Sequence, residues 1–183
     1  MDYHINAPLN EDITKSLHSG DMVYITGTIY TARDAAHKRM YEALRAGNEL
    51  PFDIKNNIIY YMGPSPAREG RPIGSAGPTT ASRMDKYAPK LLDLGQKGMI
   101  GKGRRSEAVR DAIIRNKAVY FAAVGGAGAL LSKAIVSSKV VAYDDLGTEA
   151  IRELEVKDFP VIVVIDKEGR NLYDIAKEQY SRE

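Results

Sequence analysis

Apolar positions along the chain switch between two periods. MVYITGTIY (Met22 to Tyr30) and NIIYYMGP (Asn57 to Pro64) are β-branched and aromatic, and read as strands. The first is either one strand or two short ones around Gly27, and the second is closed by Pro64. AVYFAAV (Ala118 to Val124), KVVAY (Lys139 to Tyr143) and FPVIVVID (Phe159 to Asp166) are continuous apolar runs, as expected of strands buried on both faces. KGMIGKG is a shorter apolar piece between glycines. Helical spacing fits RDAAHKRMYEALRAG, the region of MDKYAPKLLDLGQ, SEAVRDAIIRN and GALLSKAIVSS, with Pro89 either kinking one helix or starting a second. The pattern predicts a mixed α/β fold with no internal repeat.

Length and composition narrow this to one domain over residues 1–183: the chain is 44% hydrophobic and 27% charged, in the range of an ordinary globular protein able to bury a core. No apolar run approaches the roughly 18 residues needed to span a bilayer. The opening MDYHINAPLNED is acidic and polar, unlike a signal peptide, so a cytoplasmic location and no membrane partner are expected. Cysteine is absent, which excludes disulfides, a thiol nucleophile and thiolate ligands for zinc or an iron–sulfur cluster.

The net charge of +2 is unevenly spread. Between Met62 and Arg105 lie nine Lys/Arg against three acids, together with eight of the sixteen glycines and five of the eight prolines. A basic, turn-rich segment inside a mildly acidic chain suits an anion site built on loops. Nucleic acid is not the expected anion, because the segment offers too few aromatic residues for a stacking platform.

Three stretches could carry chemistry. In TARDAAHKRMYEAL, Thr31 and Asp34 have the spacing of a capping box that starts a helix at Ala32 or Arg33. Arg33, His37, Met40, Tyr41 and Leu44 then share its apolar face. A cation at a helix N-terminus opposes the helix dipole, and a bound carboxylate would resolve that conflict. The plainer alternative leaves Arg33 snorkelling to water and His37 half buried on a backbone partner. In GPTTASRMD, Pro78 and the hydroxyls of Thr79, Thr80 and Ser82 suit a helix start, and with Arg83 they form an anion cradle, although a bare cap also accounts for them. In GMIGKGRR, Lys102 stands between two glycines; the phosphate-loop pattern fails because position 96 is glutamine and Gly103 follows the lysine. GGAGAL lacks the dinucleotide spacing and reads as a tight strand-to-helix turn.

GTIYTARDAAHKRM, GPTTASRMDKY, GMIGKG and AVYFAAVGGAGALL, in this order, resemble the β subunit of two-subunit class I fumarases and L-tartrate dehydratases, which corresponds to the C-terminal domain of single-chain iron–sulfur fumarases. The resemblance runs from about Ile5 to Tyr173 and implies a single swivelling β/β/α domain with a mixed sheet. It implies that Arg33 and Arg83 hold the carboxylates of a C4 dicarboxylate, that Lys102 faces the substrate, that Thr79 takes part in proton transfer, and that His37 contacts the substrate. Two separated arginines suit a dianion, since each guanidinium offers two-point hydrogen bonding.

The expected activity is that of a hydro-lyase interconverting fumarate and (S)-malate. Hydroxide is a poor leaving group and needs a Lewis acid. With no cysteine of its own, the chain would form half of an active site, clamping substrate while a cysteine-containing α subunit holds a 4Fe–4S cluster. A higher αβ oligomer, or a homodimer of the isolated chain, is expected. L(+)-tartrate dehydratase is the alternative within the same chemistry, and a stand-alone, non-catalytic anion-binding module is the alternative of another class.

Overall fold

The computed structural model describes residues 2–63, 74, 76–124 and 131–181. Its strands are β1 (Asp2–Ala7), β2 (Met22–Thr31), β3 (Ile58–Tyr60), β4 (Gly98–Gly101), β5 (Val119–Ala123), β6 (Ile135–Ala142) and β7 (Ile151–Ile165). The helices are α1 (Glu11–Ser16), α2 (Asp34–Arg45), α3 (Ala88–Asp93), α4 (Glu107–Asn116) and α5 (Leu172–Ser181), with 3-10 turns at Ala81–Met84 and Asp144–Glu149. None of the described helices is long and apolar enough to cross a membrane.

β2, β3, β4 and β5 run parallel as successive neighbours. β7 runs antiparallel to both β5 and β2, which closes these five strands into a ring. β1 extends the sheet beside the first half of β2, and β6 beside the first half of β7. Side chains alternate across the closed sheet as strand periodicity requires. Val23, Ile25, Ile58, Tyr60, Ile100, Phe121 and Val163 form one buried cluster. Ile59, Tyr61, Met99, Tyr120 and Val164 point the other way and meet α2, α3 and α4 through Ala36, Met40, Leu91, Leu92, Val109 and Ile113. Burial on both faces explains why β3, β4 and β5 read as unbroken apolar runs.

The structure resolves two open alternatives and corrects other expectations. MVYITGTIY is a single strand, with a bulge rather than a break at Gly27. There φ is +130°, and a Cβ would sit 2.3 Å from the Ala7 carbonyl oxygen, so only glycine allows β1 to lie this close. Pro89 starts α3 rather than kinking a longer helix. Of GALLSKAIVSS, Leu131 and Ser132 are helical but the helix does not continue: Ile135–Ser138 already belongs to β6 and pairs along β7. The Thr31–Asp34 capping box does not form. Thr31 ends β2 with its hydroxyl accepting from Arg152 N–H, and Arg33 occupies the N-cap position without a side-chain cap. Pro64 and GGAGAL lie outside the described residues.

Candidate functional site

The three singled-out stretches leave the carboxyl ends of adjacent parallel strands: TARD follows β2, the chain leading to GPTT follows β3, and GKG follows β4. Strand order therefore sets them side by side at the carboxyl ends of the parallel strands, the end at which open and closed α/β sheets alike carry their ligands. Backbone hydrogen bonds join them. Ala32 N–H donates to the Tyr60 carbonyl at 3.1 Å, Tyr61 N–H to Ile100 at 2.8 Å, Thr79 N–H to Tyr61 at 2.7 Å, and Ala81 N–H to Lys102 at 2.8 Å. Thr80 and Lys102 form an isolated parallel bridge. A Cβ on Gly101 would lie 2.9 Å from the Tyr61 ring and 3.0 Å from the Ala81 methyl, so the glycine before Lys102 is what lets the GPTT segment approach β4.

Arg33 lies at the mouth of α2, its side chain against the backbone of Gly63, where a Cβ would sit 2.9 Å from both Cδ and Nη1. Its Nε is buried and without a hydrogen-bond partner. The first turn of α2 is supported by Glu149, which accepts from Ala35 N–H at 3.2 Å. Arg39 braces the same 3-10 turn through two bonds to Asp145, at 2.7 and 2.8 Å.

His37 is fully buried. Its Nδ1 lies 2.9 Å from the Arg33 carbonyl oxygen, which can only accept, so Nδ1 carries the proton and Nε2 presents a lone pair. Nε2 is buried and unpartnered, with the rings of Tyr61 and Tyr87 at 5.3 and 6.1 Å. The histidine thus has the backbone partner of the plainer reading and touches the site by way of Arg33. Burial drives its pKa down to about 4, opposed by the Arg33 carbonyl and reinforced by the charge of Arg105. Because the folded value lies below the ordinary 6.5, the unfolded chain takes up this proton first, and the stability it represents is lost as pH falls from about 6.5 to about 4. Roughly 3 kcal/mol is expected to disappear across that window. Urea midpoints measured from pH 7 to pH 4 for the wild type and His37→Gln check this: the variant should show a flatter profile.

Arg83 is 52% exposed and bonds to Asp34 Oδ2 through Nε at 2.7 Å and Nη2 at 2.6 Å. Arg33, His37 and Arg83 are therefore gathered around the first turn of α2. Thr79 and the exposed Lys102 sit on the adjoining pair of loops. Thr80, not Thr79, takes the N-cap position of the 3-10 turn, and no side-chain cap bond forms there. The anticipated helix mouth at GPTT is thus a single tight turn.

Beneath these loops is a pair that local sequence did not single out. The Arg105 side chain is fully buried, with Nε 2.7 Å from Asp85 Oδ1 and Nη2 3.2 Å from the Tyr61 hydroxyl. Its guanidinium stacks between the rings of Tyr61 and Tyr120, at 5.2 and 4.7 Å. Asp85 Oδ2 also accepts from Ser106 N–H at 2.7 Å, just where Ser106 caps α4. Burial alone would weaken the charge on Arg105, but the Tyr61 and Asp85 oxygens hold its pKa above the ordinary value. The pair ties GPTTASRMD to GKGRR. Arg105 looked like one more member of a basic run, and nothing in the run distinguishes the buried arginine from exposed Arg104.

Residues 2–176 match the family described as fumarase C-terminus. The chain belongs to the fumarase C-terminus family. It is 43% identical over 151 residues, 81% of its length, to the anaerobic class I fumarate hydratase of Escherichia coli K12. It is 39% identical over 156 residues, 84% of its length, to fumarate hydratase 2 of Leishmania major. The chain spans only 28% of the length of each of these two enzymes. A Methanocaldococcus jannaschii protein named "Putative L(+)-tartrate dehydratase subunit beta" is 36% identical over 189 residues, covering 100% of this chain and 96% of that protein.

For this fumarase C-terminal chain, an iron–sulfur cluster is not a fit to its own residues. It has no cysteine, and no three His, Asp or Glu side chains among the described residues converge as metal ligands. What its loops offer is cations, hydroxyls and backbone donors, the chemistry of anion binding.

Proposed function

We propose that this chain is the β subunit of an iron–sulfur hydro-lyase interconverting fumarate and (S)-malate, supplying the cationic dicarboxylate clamp to an active site completed by a cysteine-containing α subunit. On this reading residues 1–183 form one fumarase C-terminal-type domain, and the α subunit holds the 4Fe–4S cluster. The observation that carries the proposal is the convergence of three cationic loops, with Arg33, Arg83 and Lys102, on the carboxyl ends of neighbouring strands β2, β3 and β4.

In this reading Arg33 and Arg83 each receive one carboxylate of the substrate, fixing the two carbons between which water is added or removed. Lys102 adds a third positive charge from the facing loop. Thr79, whose N–H is held on the Tyr61 carbonyl, assists transfer of the proton that leaves carbon as malate becomes fumarate and water. His37 acts through the Arg33 carbonyl, keeping the backbone at the arginine in place. Thr79→Ala in the assembled enzyme is expected to lower kcat at least about tenfold with KM within about twofold, the pattern of an interaction made in the transition state. A change confined to the melting temperature would assign the hydroxyl a structural part instead.

L(+)-tartrate dehydratase is the second reading, favoured by the end-to-end match to the archaeal relative. Anaerobic affinity capture of the chain from its native lysate separates the possibilities, with the eluate assayed for fumarate hydration and L-tartrate dehydration, and its iron and sulfide quantified. A cysteine-containing iron–sulfur partner with fumarate hydratase activity supports the first reading, and tartrate dehydration the second. A chain that elutes alone and inactive, yet binds dicarboxylates by calorimetry, would mark a stand-alone binding module.

A further inference from the structure

Three of the five buried polar side-chain atoms without a partner, among the described residues, fall on one turn: Arg33 Nε, Asp34 Oδ1 and His37 Nε2. Two of these belong to residues already placed at the site. The third belongs to Asp34, an acid in a cationic clamp, and its other oxygen carries both bonds to Arg83.

The edge used by that bond matters. A guanidinium has two forks, one formed by Nε and Nη2 and one by the two Nη atoms, and either can take a carboxylate. Asp34 occupies the Nε side, with Nε at 2.7 Å and Nη2 at 2.6 Å from the single oxygen Oδ2. Both N–H groups of Nη1 and the second of Nη2 are left free of Asp34, and one N–H of Nη1 with the second of Nη2 forms the end-on fork. Asp34 is fixed as the first residue of α2, next to Arg33, whereas Arg83 comes from a four-residue 3-10 turn. Asp34 thereby ties the side chain of Arg83 to the element that begins beside Arg33.

We propose that Asp34 is a positioning residue: it grips Arg83 side-on, sets its end-on fork toward the second carboxylate of the substrate, and fixes the spacing between Arg83 and Arg33. This rests on the dicarboxylate reading of the site given above. An arginine held in advance loses less side-chain freedom on binding, so the benefit belongs in substrate affinity rather than in the chemical step.

The test is a double-mutant cycle in the assembled αβ enzyme, with Asp34→Ala, Arg83→Met and the pair, and with Asp34→Asn as a shape-conserving check on folding. Asp34→Ala is expected to raise KM for the dicarboxylate about tenfold with kcat within about twofold. In the Arg83→Met background it should add no further rise, because its partner is already gone. Asp34→Asn keeps an oxygen acceptor and should fall between wild type and alanine. Equal penalties in both backgrounds would show that Asp34 acts independently of Arg83 and would overturn the inference. So would a lower KM for Asp34→Ala, since the carboxylate would then be competing with substrate for Arg83. A wild-type assembly with neither hydratase nor dehydratase activity would overturn the dicarboxylate reading itself, and this inference with it.

Discussion

If Arg83 holds a substrate carboxylate as proposed, Arg83→Met in the assembled enzyme is expected to lower kcat/KM by about 3–5 kcal/mol, or roughly two to four orders of magnitude, while leaving the fold intact. The size follows from stranding a substrate carboxylate in a site from which water has been displaced, with its charged partner removed. The intact fold follows from exposure. Arg83 and Asp34 are 52% and 35% exposed, and ion pairs this open to water contribute about 0–1 kcal/mol to stability. Steady-state kinetics on fumarate and malate, with a melting curve on the same preparation, separate the two effects. A loss of less than about tenfold in kcat/KM would remove Arg83 from the substrate site.

The second large effect is on stability and has the opposite character. Asp85→Ala leaves the fully buried Arg105 guanidinium with the Tyr61 hydroxyl, the Met99 sulfur and two aromatic faces, none of them an opposite charge, and it frees Ser106 N–H. Breaking a buried pair from one side costs about 3–5 kcal/mol. For a chain of this size that is a fall in melting temperature of about 6–20 °C. Replacing both partners, as Asp85→Leu with Arg105→Met, removes the stranded charge and is expected to recover much of the loss. Thermal unfolding of the three variants tests this. A single-variant loss below about 1 kcal/mol would mean that the pair is not the anchor described here.

These two arginines show how far the amino-acid pattern reaches. The strand runs of β3, β4 and β5 were legible because burial on both faces leaves a continuous apolar signature, and α4 was legible from the helical spacing of SEAVRDAIIRN. The first half of β7 was not, because IRELEVKD alternates polar and apolar residues between β2 and β6, and so does not stand out as an apolar run. Lys139–Ala142 was legible as a strand, but Ile135–Ser138, the start of the same edge strand, reads as the end of a helix because exposed Val136 and two serines break the strand alternation. The candidates Arg33, Arg83, Lys102, Thr79 and His37 were singled out through their motifs, and their proposed roles await the tests above. What those motifs do not carry is distance. That Asp34 reaches 49 residues along the chain to Arg83, and that Asp85 rather than water receives Arg105, are properties of packing between loops.

The ring also has a consequence for how the chain comes to be folded. Its last seam joins Met22 to Ile162 and Val23 to Val161, so the opening strand of the barrel must wait for one made much later. Until β7 has emerged from the ribosome, β2 and β5 each keep an edge unpaired, and non-local closure of this kind is slow. The nascent chain therefore passes through a period in which strongly apolar strands offer open hydrogen-bonding edges, the condition under which chains of this composition aggregate or need a chaperone.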